Sequence, residues 1–403
     1  MPRKCKDWLD SYMQYTENSE PPKLFHIWTG ISTIAAVLQR KCVLNWGHLR
    51  FFPNMYIVLV GPPGKVRKGT AMSFGSNLLS RLDIKISADS VTREALIRNI
   101  MEAQDTIIDE NTGAMSFHSS LTVYAPELVV FLGYNQQQLM MDLTDWFDCG
   151  KGADGVWTYQ TKHQGTDNII GIWINLIGAT TPDLLRSSLS MDAIGGGLTS
   201  RIIFVFENEK YKSCPVPFLS PEEEAIGEDL YYDLNQMYLL KGQFKPTQNF
   251  IELWKDWYVH SDSNPIFDDP RLAPYCERRP VHVMKLAMIC SASRSDEMKL
   301  QRCDLERSIK IMEMTEKNMP ATFTGIGKSP HADVLSKVMN EVGMAGEISL
   351  REIQRKFYND ADSRTLSIII KTLEDMGFLY RKERMIGSDH EVILVYHKKG
   401  GQS

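Results

Sequence analysis

The sequence predicts an α/β fold on a largely parallel sheet, and three features carry that expectation. Apolar, β-branched-rich runs at 56–60, 120–125, 172–178 and 202–206 read as buried strands. Segments of helical period separate them, as at 24–38, where Ile27, Ile31, Ile34, Ala35 and Leu38 share one face. The first of these strands stops at Gly61-Pro62-Pro63-Gly64, a turn leading into a helix.

Length and composition bound the rest. With 403 residues, 43% hydrophobic and 24% charged, the chain suits a globular protein of two or three domains with a large core. A formal net charge of -5 argues against a tail-driven polyanion binder, so any nucleic-acid contact must be local. The 7 cysteines are scattered and form no CxxC pair, as expected of reduced thiols without a zinc site. No apolar run approaches the roughly 20 residues that span a bilayer. The start, MPRKCKDWLD, lacks a signal-peptide core. A cytoplasmic protein with no membrane partner is expected.

Taken in order, residues 5–20 and 24–38 read as two helices and 40–46 as a strand, a helical collar over 1–50. The core, 51–215, opens on Tyr56-Ile57-Val58-Leu59-Val60. Gly61, Pro62, Pro63 and Gly64 follow, then Lys65, Val66, Arg67, Lys68, Gly69 and Thr70 at a helix N-terminus. Glycines that let the backbone close, successive N–H groups, a helix dipole and lysine charge together suit a polyphosphate, although an ordinary βα turn also reads this way. Counted against GxxxxGK[ST], Val66 falls on the second glycine and Arg67 on the lysine. One extra loop residue would restore Lys68 to phosphate and Thr70 to Mg²⁺. Lys65 and Arg67 are then either phosphate-facing or solvated.

A helix at 68–81, a strand at 83–87, a helix capped by Thr92 and an irregular surface loop at 103–119 come next. The strand ending at Ala125-Pro126-Glu127 delivers Glu127, which could hold Mg²⁺ through water or polarise an attacking water if its strand lies beside the loop-bearing one. Glu127 could equally sit at a helix N-terminus, favoured by its dipole. One helix is expected over 128–147, with Asp142, Asp145 and Asp148 on a mostly solvated face. Alternating runs at 156–161 and 166–170 flank Lys162-His163-Gln164-Gly165, a hairpin signal. The next strand ends at Thr180-Thr181-Pro182, where a hydroxyl could reach a γ-phosphate or cap a helix with Pro182 at N1. Arg201 precedes the final core strand, at 202–206, well placed to reach a nucleotide held by a neighbouring subunit.

This order of parts resembles an AAA+ ATPase of the hairpin-bearing helicase group, which includes the MCM and superfamily III helicases. The segments FHIWTGISTIAAVLQR, FPNMYIVLVGPPGKVRKGTA, DSVTREALI, INLIGATTPDLL and GGGLTSRIIFVFE are similar to phage and prophage primase-helicase-type P-loop ATPases, over roughly residues 20–320. The resemblance implies ATP and Mg²⁺ as cofactors, Lys68 as P-loop lysine, Thr70 near the metal, Glu127 as acid, Thr181 as sensor and Arg201 as a finger acting in trans. It implies a homo-oligomeric, hexameric ring whose hairpin, through Lys162 and His163, grips single-stranded DNA. A primase or other replication proteins would be further partners, in an infected or lysogenic bacterial host.

After a proline-containing linker, 216–325 reads as a helical lid, with Arg279 the second-sensor candidate and Arg278 its alternative. Residues 330–403 predict three helices and a two-stranded wing, a winged helix-turn-helix. It holds 11 basic and 11 acidic residues, which weakens the case for DNA. Either single-stranded or duplex DNA, through Arg364, Lys371, Arg381, Lys382 and Arg384, or a docking protein is expected there.

Overall fold

The computed structural model describes residues 2–87, 91–108, 113, 115–133, 137–150, 155–161, 165–188, 197–323, 332–386 and 389–397. Contacts divide the chain into two compact units, Met1–Thr324 and Gly325–Ser403. The expected segments 1–50, 51–215 and 216–325 thus belong to one unit.

Helix α1 (Trp8–Tyr15) starts at Asp7, whose carboxylate accepts from the Asp10 N–H. Helix α2 (Lys23–Leu38) is buried along almost its whole length. Apolar on nearly every side, it has no solvent face to offer and packs against α1, the sheet and later helices. An antiparallel pair, β1 (Cys42–Trp46) and β2 (Leu49–Phe51), turns at Gly47. Strand β3 (Tyr56–Val60) is wholly buried and feeds α3 (Lys68–Leu79). Helix α4 (Arg93–Glu102) is capped by Thr92, as expected.

Several expectations fail beyond this point. Within the loop expected at 103–119, the described residues form strands: β4 (Gln104–Ile108) pairs antiparallel with the first half of β5 (Met115–Ala125). Their side chains are mostly exposed, so no apolar alternation marks them, and pairing with the rest of β5 supplies the order instead. The helix expected at 128–147 is broken into α5 (Leu128–Leu132) and α6 (Gln137–Phe147) after Gly133, which lies at φ 69. Residues 83–87 contribute only one parallel bridge, Ile86 to Thr122.

The hairpin forms as expected, from β6 (Trp157–Thr161) and β7 (Gly165–Ile169), paired from Trp157↔Ile169 to Thr161↔Gly165. Lys162 and His163 lie outside the described residues. Strand β8 (Ile172–Thr180), α7 (Pro182–Ser188) and β9 (Ile202–Phe206) complete the sheet, in the order β4-β5-β8-β3-β9. Strand β3 pairs in parallel with β8 on one side and β9 on the other, and β5 pairs in parallel with β8. Hence β5 is one strand removed from β3, not beside it as expected.

Helices cover both faces. On one, Asn175 of β8 donates to the Ser32 carbonyl of α2 at 3.1 Å. On the other, the Tyr56 hydroxyl donates to the Leu143 carbonyl of α6 at 3.0 Å. Close packing of α3 depends on Gly75, where a Cβ would lie 2.5 Å from Thr33 Oγ1 and 2.8 Å from the Tyr124 hydroxyl. Four further helices follow: α8 (Pro221–Tyr238), α9 (Gln248–Ser263), α10 (Ala273–Arg294) and α11 (Arg302–Glu316). Trp28 of α2 donates to Thr315 Oγ1 of α11 at 2.8 Å, which ties the helical segment into the core.

The second unit has helices α12 (Ala332–Ala345), α13 (Leu350–Lys356) and α14 (Ser363–Asp375). Ser349 and Asp362 cap the last two. Its sheet has three strands, not two: Glu347–Ser349 pairs with Asp389–Tyr396, which pairs with Leu379–Ile386. Three residues give no readable period.

Burial holds His26, His118 and His282 neutral, each with its pKa lowered to about 4. In the unfolded chain they take up protons near 6.5, so stability is full above that value and falls as pH drops toward 4. We expect unfolding free energy from urea melts to fall by about 2 kcal/mol per histidine between pH 7 and pH 5. A flat profile would contradict neutral, buried imidazoles.

Candidate functional site

The carboxyl ends of β3, β5, β8 and β9 share one edge of the sheet, and the Gly61–Thr70 loop lies there. Val60 pairs with Thr180 and with Phe206, so three strands end together. Gly61 admits no side chain: a Cβ would lie 2.3 Å from the Glu207 carbonyl oxygen and 2.7 Å from Val66 Cγ2. Val66 is fully buried and anchors the loop from below. It occupies a packing position, which explains why no glycine stands there.

The chain reverses at Gly64 (φ 66) and again at Arg67 (φ 52, ψ 41). Arg67 thus adopts the left-handed conformation directly before Lys68, the place where the motif carries glycine, at a cost of about 1–2 kcal/mol. Helix α3 begins at Lys68, leaving the N–H groups of its first turn without helical partners. The Lys68 ammonium donates to the Gly61 carbonyl at 2.7 Å and to the Pro62 carbonyl at 3.2 Å, closing the loop on itself. Burial lowers its pKa, while the negative charge of Glu127 opposes the shift. Gly69 borders open space and Thr70 is exposed. Thr70 lies about 100° round the helix from Gly69.

Neither neighbouring cation is aimed at the loop's interior. Arg67 Nε donates to Glu20 at 2.8 Å, and Lys65 is 3.8 Å from Glu209. Glu20 also accepts from Lys210 at 2.8 Å and from the Cys214 N–H at 3.3 Å. These contacts, Lys210 first and Arg67 next, hold its carboxyl down at about 2. Glu20 therefore braces the loop against the chain before α2 and after β9.

Glu127 is exposed at the end of β5, and its side chain makes no cap bond to α5. Two strand spacings separate β5 from β3, roughly 10 Å, which leaves room for phosphate, cation and water between Glu127 and the loop. Thr181 Oγ1 accepts from the Leu184 N–H at 3.2 Å and so caps α7. Thr180 is buried, its carbonyl accepting from the Gly61 N–H at 3.4 Å. A second carboxyl that the sequence reading missed, Glu207, stands at the end of β9, where burial raises its pKa. Its N–H donates to the Val60 carbonyl at 3.0 Å, and a carboxylate closing a core strand was the available signal.

Two arginines depart from their expected settings. Tyr56 pairs with Ile202, which puts Arg201 at the amino edge of the sheet, opposite the loop. Arg201 is 8% exposed and donates to Asp148 at 2.7 Å and to the Gly197 carbonyl at 2.7 Å. Arg278 shares Asp148 at 3.4 Å. Arg279 is buried in a bidentate pair with Glu316, at 2.7 and 2.9 Å, with a further bond to Ser261 at 3.1 Å. It joins α9, α10 and α11 instead of reaching the loop as a second sensor. Asp142 is likewise no solvated charge, since Arg93 donates to it at 2.6 Å.

In the second unit Arg364, Lys371 and Arg384 are exposed. Arg381 pairs with Glu374 at 2.7 Å and Lys382 with Glu347 at 3.6 Å. Among the described residues no group of three or more His, Cys, Asp or Glu is arranged to hold a metal ion, and no helix is long and apolar enough to cross a membrane. All seven cysteines are free thiols. Compared with models of known protein families and with curated proteins, the chain matches none.

Left-handed strain at Arg67 gives a measurable contrast. Arg67→Ala and Arg67→Gly both lose the Glu20 contact, but only glycine relieves φ 52. Denaturant unfolding is expected to find the glycine variant more stable than the alanine variant by about 1 kcal/mol.

Proposed function

We propose that the chain is an ATP-dependent DNA helicase or translocase with an AAA+-type P-loop core, acting as a ring in phage DNA replication. The observation that carries the reading is the loop itself. Lys68 stands at a helix N-terminus with its ammonium folded over the Gly61 and Pro62 carbonyls, at the carboxyl edge of a parallel sheet. Two left-handed turns, open space at Gly64 and Gly69, and unpaired first-turn N–H groups fit a polyphosphate.

Mg²⁺-ATP, when bound, supplies the scissile phosphoanhydride and the cation that neutralises its developing charge. Lys68 would leave the two carbonyls for phosphate oxygens, which accept from it more strongly than neutral carbonyls do. The N–H groups of Lys68, Gly69 and Thr70 orient the phosphates. Thr70 and Glu127 are the available metal-side oxygens, with Glu127 also able to orient water. Glu207 is a further carboxylate on the same edge. Thr180 fixes Gly61 through its carbonyl, and Thr181 serves the helix cap. Arg201, at the other end of the sheet, can meet only a neighbour's nucleotide, and only after leaving Asp148. The three helices and three strands of 330–403 suit a winged helix-turn-helix with exposed Arg364, Lys371 and Arg384.

A second reading has its own observation. Arg201 is held by Asp148, Arg279 by Glu316, and Pro126 stands where a second acid would precede Glu127. These features suit slow hydrolysis, as in an ATP-switched replication initiator or helicase-loading module without processive unwinding.

Steady-state ATPase with single-stranded DNA separates the two. The motor reading expects DNA-stimulated turnover, reduced by about 10²-fold or more in Lys68→Ala and in Glu127→Gln, with nucleotide binding kept in the latter. Arg201→Ala mixed with Lys68→Ala should recover turnover if the finger acts between subunits. ATP binding without DNA-stimulated turnover would favour the initiator.

A further inference from the structure

A broad concave surface of the larger unit lies at the opposite edge of the sheet from the loop. It is a cleft of about 770 Å³ between β1, β2, the edge strand β4, the start of β5 and the base of the β6–β7 hairpin. Among the described residues four cations line it, Arg40, Lys41, Arg50 and Lys241, and no carboxylate does. For a chain of net charge -5 this is a local reversal of sign. The nearest named acid is Asp105 on β4, whose charge acts on Lys41 and His118 from beside the cleft.

The apolar lining is exposed. Ile108 is 52% exposed, Met115 62% and Phe117 42%, side by side on paired strands β4 and β5. Flat aromatic and apolar surface among cations is the composition that holds bases and phosphates together. His118, also in the lining, is 1% exposed; Nδ1 meets Ser120 Oγ at 2.9 Å, and Nε2 has no hydrogen-bond partner. A buried ring nitrogen without a partner is costly.

The cations divide by role. Arg40 is structural, donating to the Cys149 carbonyl at 2.8 Å and lying over the Phe52 ring. Lys41 leans on Tyr238, whose carbonyl and ring it contacts. Arg50 is exposed on β2, and Lys241 reaches the cleft from the far side, where it donates to the Ile108 carbonyl at 3.3 Å. Both line the same cleft as Phe117.

We propose that this cleft binds single-stranded nucleic acid, with phosphates on Arg50 and Lys241 and a base stacked on Phe117. The site is separate from the nucleotide loop, and it does not depend on hydrolysis. A duplex is disfavoured, because a paired base presents no free face to Phe117.

Fluorescence anisotropy of a labelled oligothymidylate with the full chain, in the absence of ATP, tests it. Arg50→Glu with Lys241→Glu should weaken binding at least tenfold and lower the salt slope by about 1.4, the share of two phosphates. Phe117→Ala should weaken it about fivefold or more. A 4-thiothymidine oligonucleotide should photocrosslink to the 104–118 segment in the unaltered protein, a readout independent of whether the variants fold. The proposal is overturned if the oligonucleotide does not bind, or if a duplex of equal length binds as tightly. It is also overturned if the cleft variants bind normally while Lys162→Ala/His163→Ala or removal of 330–403 abolishes binding. Loss of ATPase with cleft binding intact would count against the motor alone.

Discussion

Parallel pairing of β3 with both β8 and β9 is the constraint on which the rest depends. It brings Val60, Thr180 and Phe206 to one edge and forces the chain after β3 to turn within a few residues. Gly61 is then pressed against the Glu207 carbonyl, Val66 is driven into the core, and α3 must start at Lys68. The lysine bridge to the Gly61 and Pro62 carbonyls follows from that geometry. A longer turn would fray without Val66, and a side chain at residue 61 would part the loop from β9.

The same pairing sets the opposite edge. There Arg201 is folded onto Asp148 beside α10, His282 meets the Ser200 carbonyl at 3.0 Å, and the buried Lys285 ammonium donates to Asn54 at 2.6 Å. Burial lowers the Lys285 pKa to about 8 and the Phe147 ring lies 4.0 Å from its nitrogen. Around Arg201, His282 and Lys285 this edge is closed by polar contacts within the chain, whereas the loop edge carries its charged groups exposed or only part-buried.

Much of the fold was legible because burial writes a strong pattern. Strands β3, β8 and β9 are continuous apolar runs, and the caps Thr92, Ser349 and Asp362 stand where side-chain oxygens can reach the first turn. What stayed hidden lacked that pattern. Strand β4 and the start of β5 are exposed, Glu347–Ser349 is three residues long, and the break after α5 turns on the backbone angle of Gly133 alone. Within the candidate site, the glycine turn and the helix after it were readable from the sequence, whereas the strand of Glu127, expected beside β3, lies one strand away. The commitments of Arg67 to Glu20, Arg201 to Asp148 and Arg279 to Glu316 were not readable, since each joins segments distant in sequence.

Hydrogen exchange on the full chain, with and without Mg²⁺-ATP, bears most directly on the central claim that Gly61–Thr70 is a nucleotide site. Backbone N–H groups at the start of α3 are the proposed phosphate ligands, so the account predicts slowed exchange at residues 64–71 and at Glu127. No change across 61–71, or protection confined to segments away from the carboxyl edge of the sheet, would contradict it.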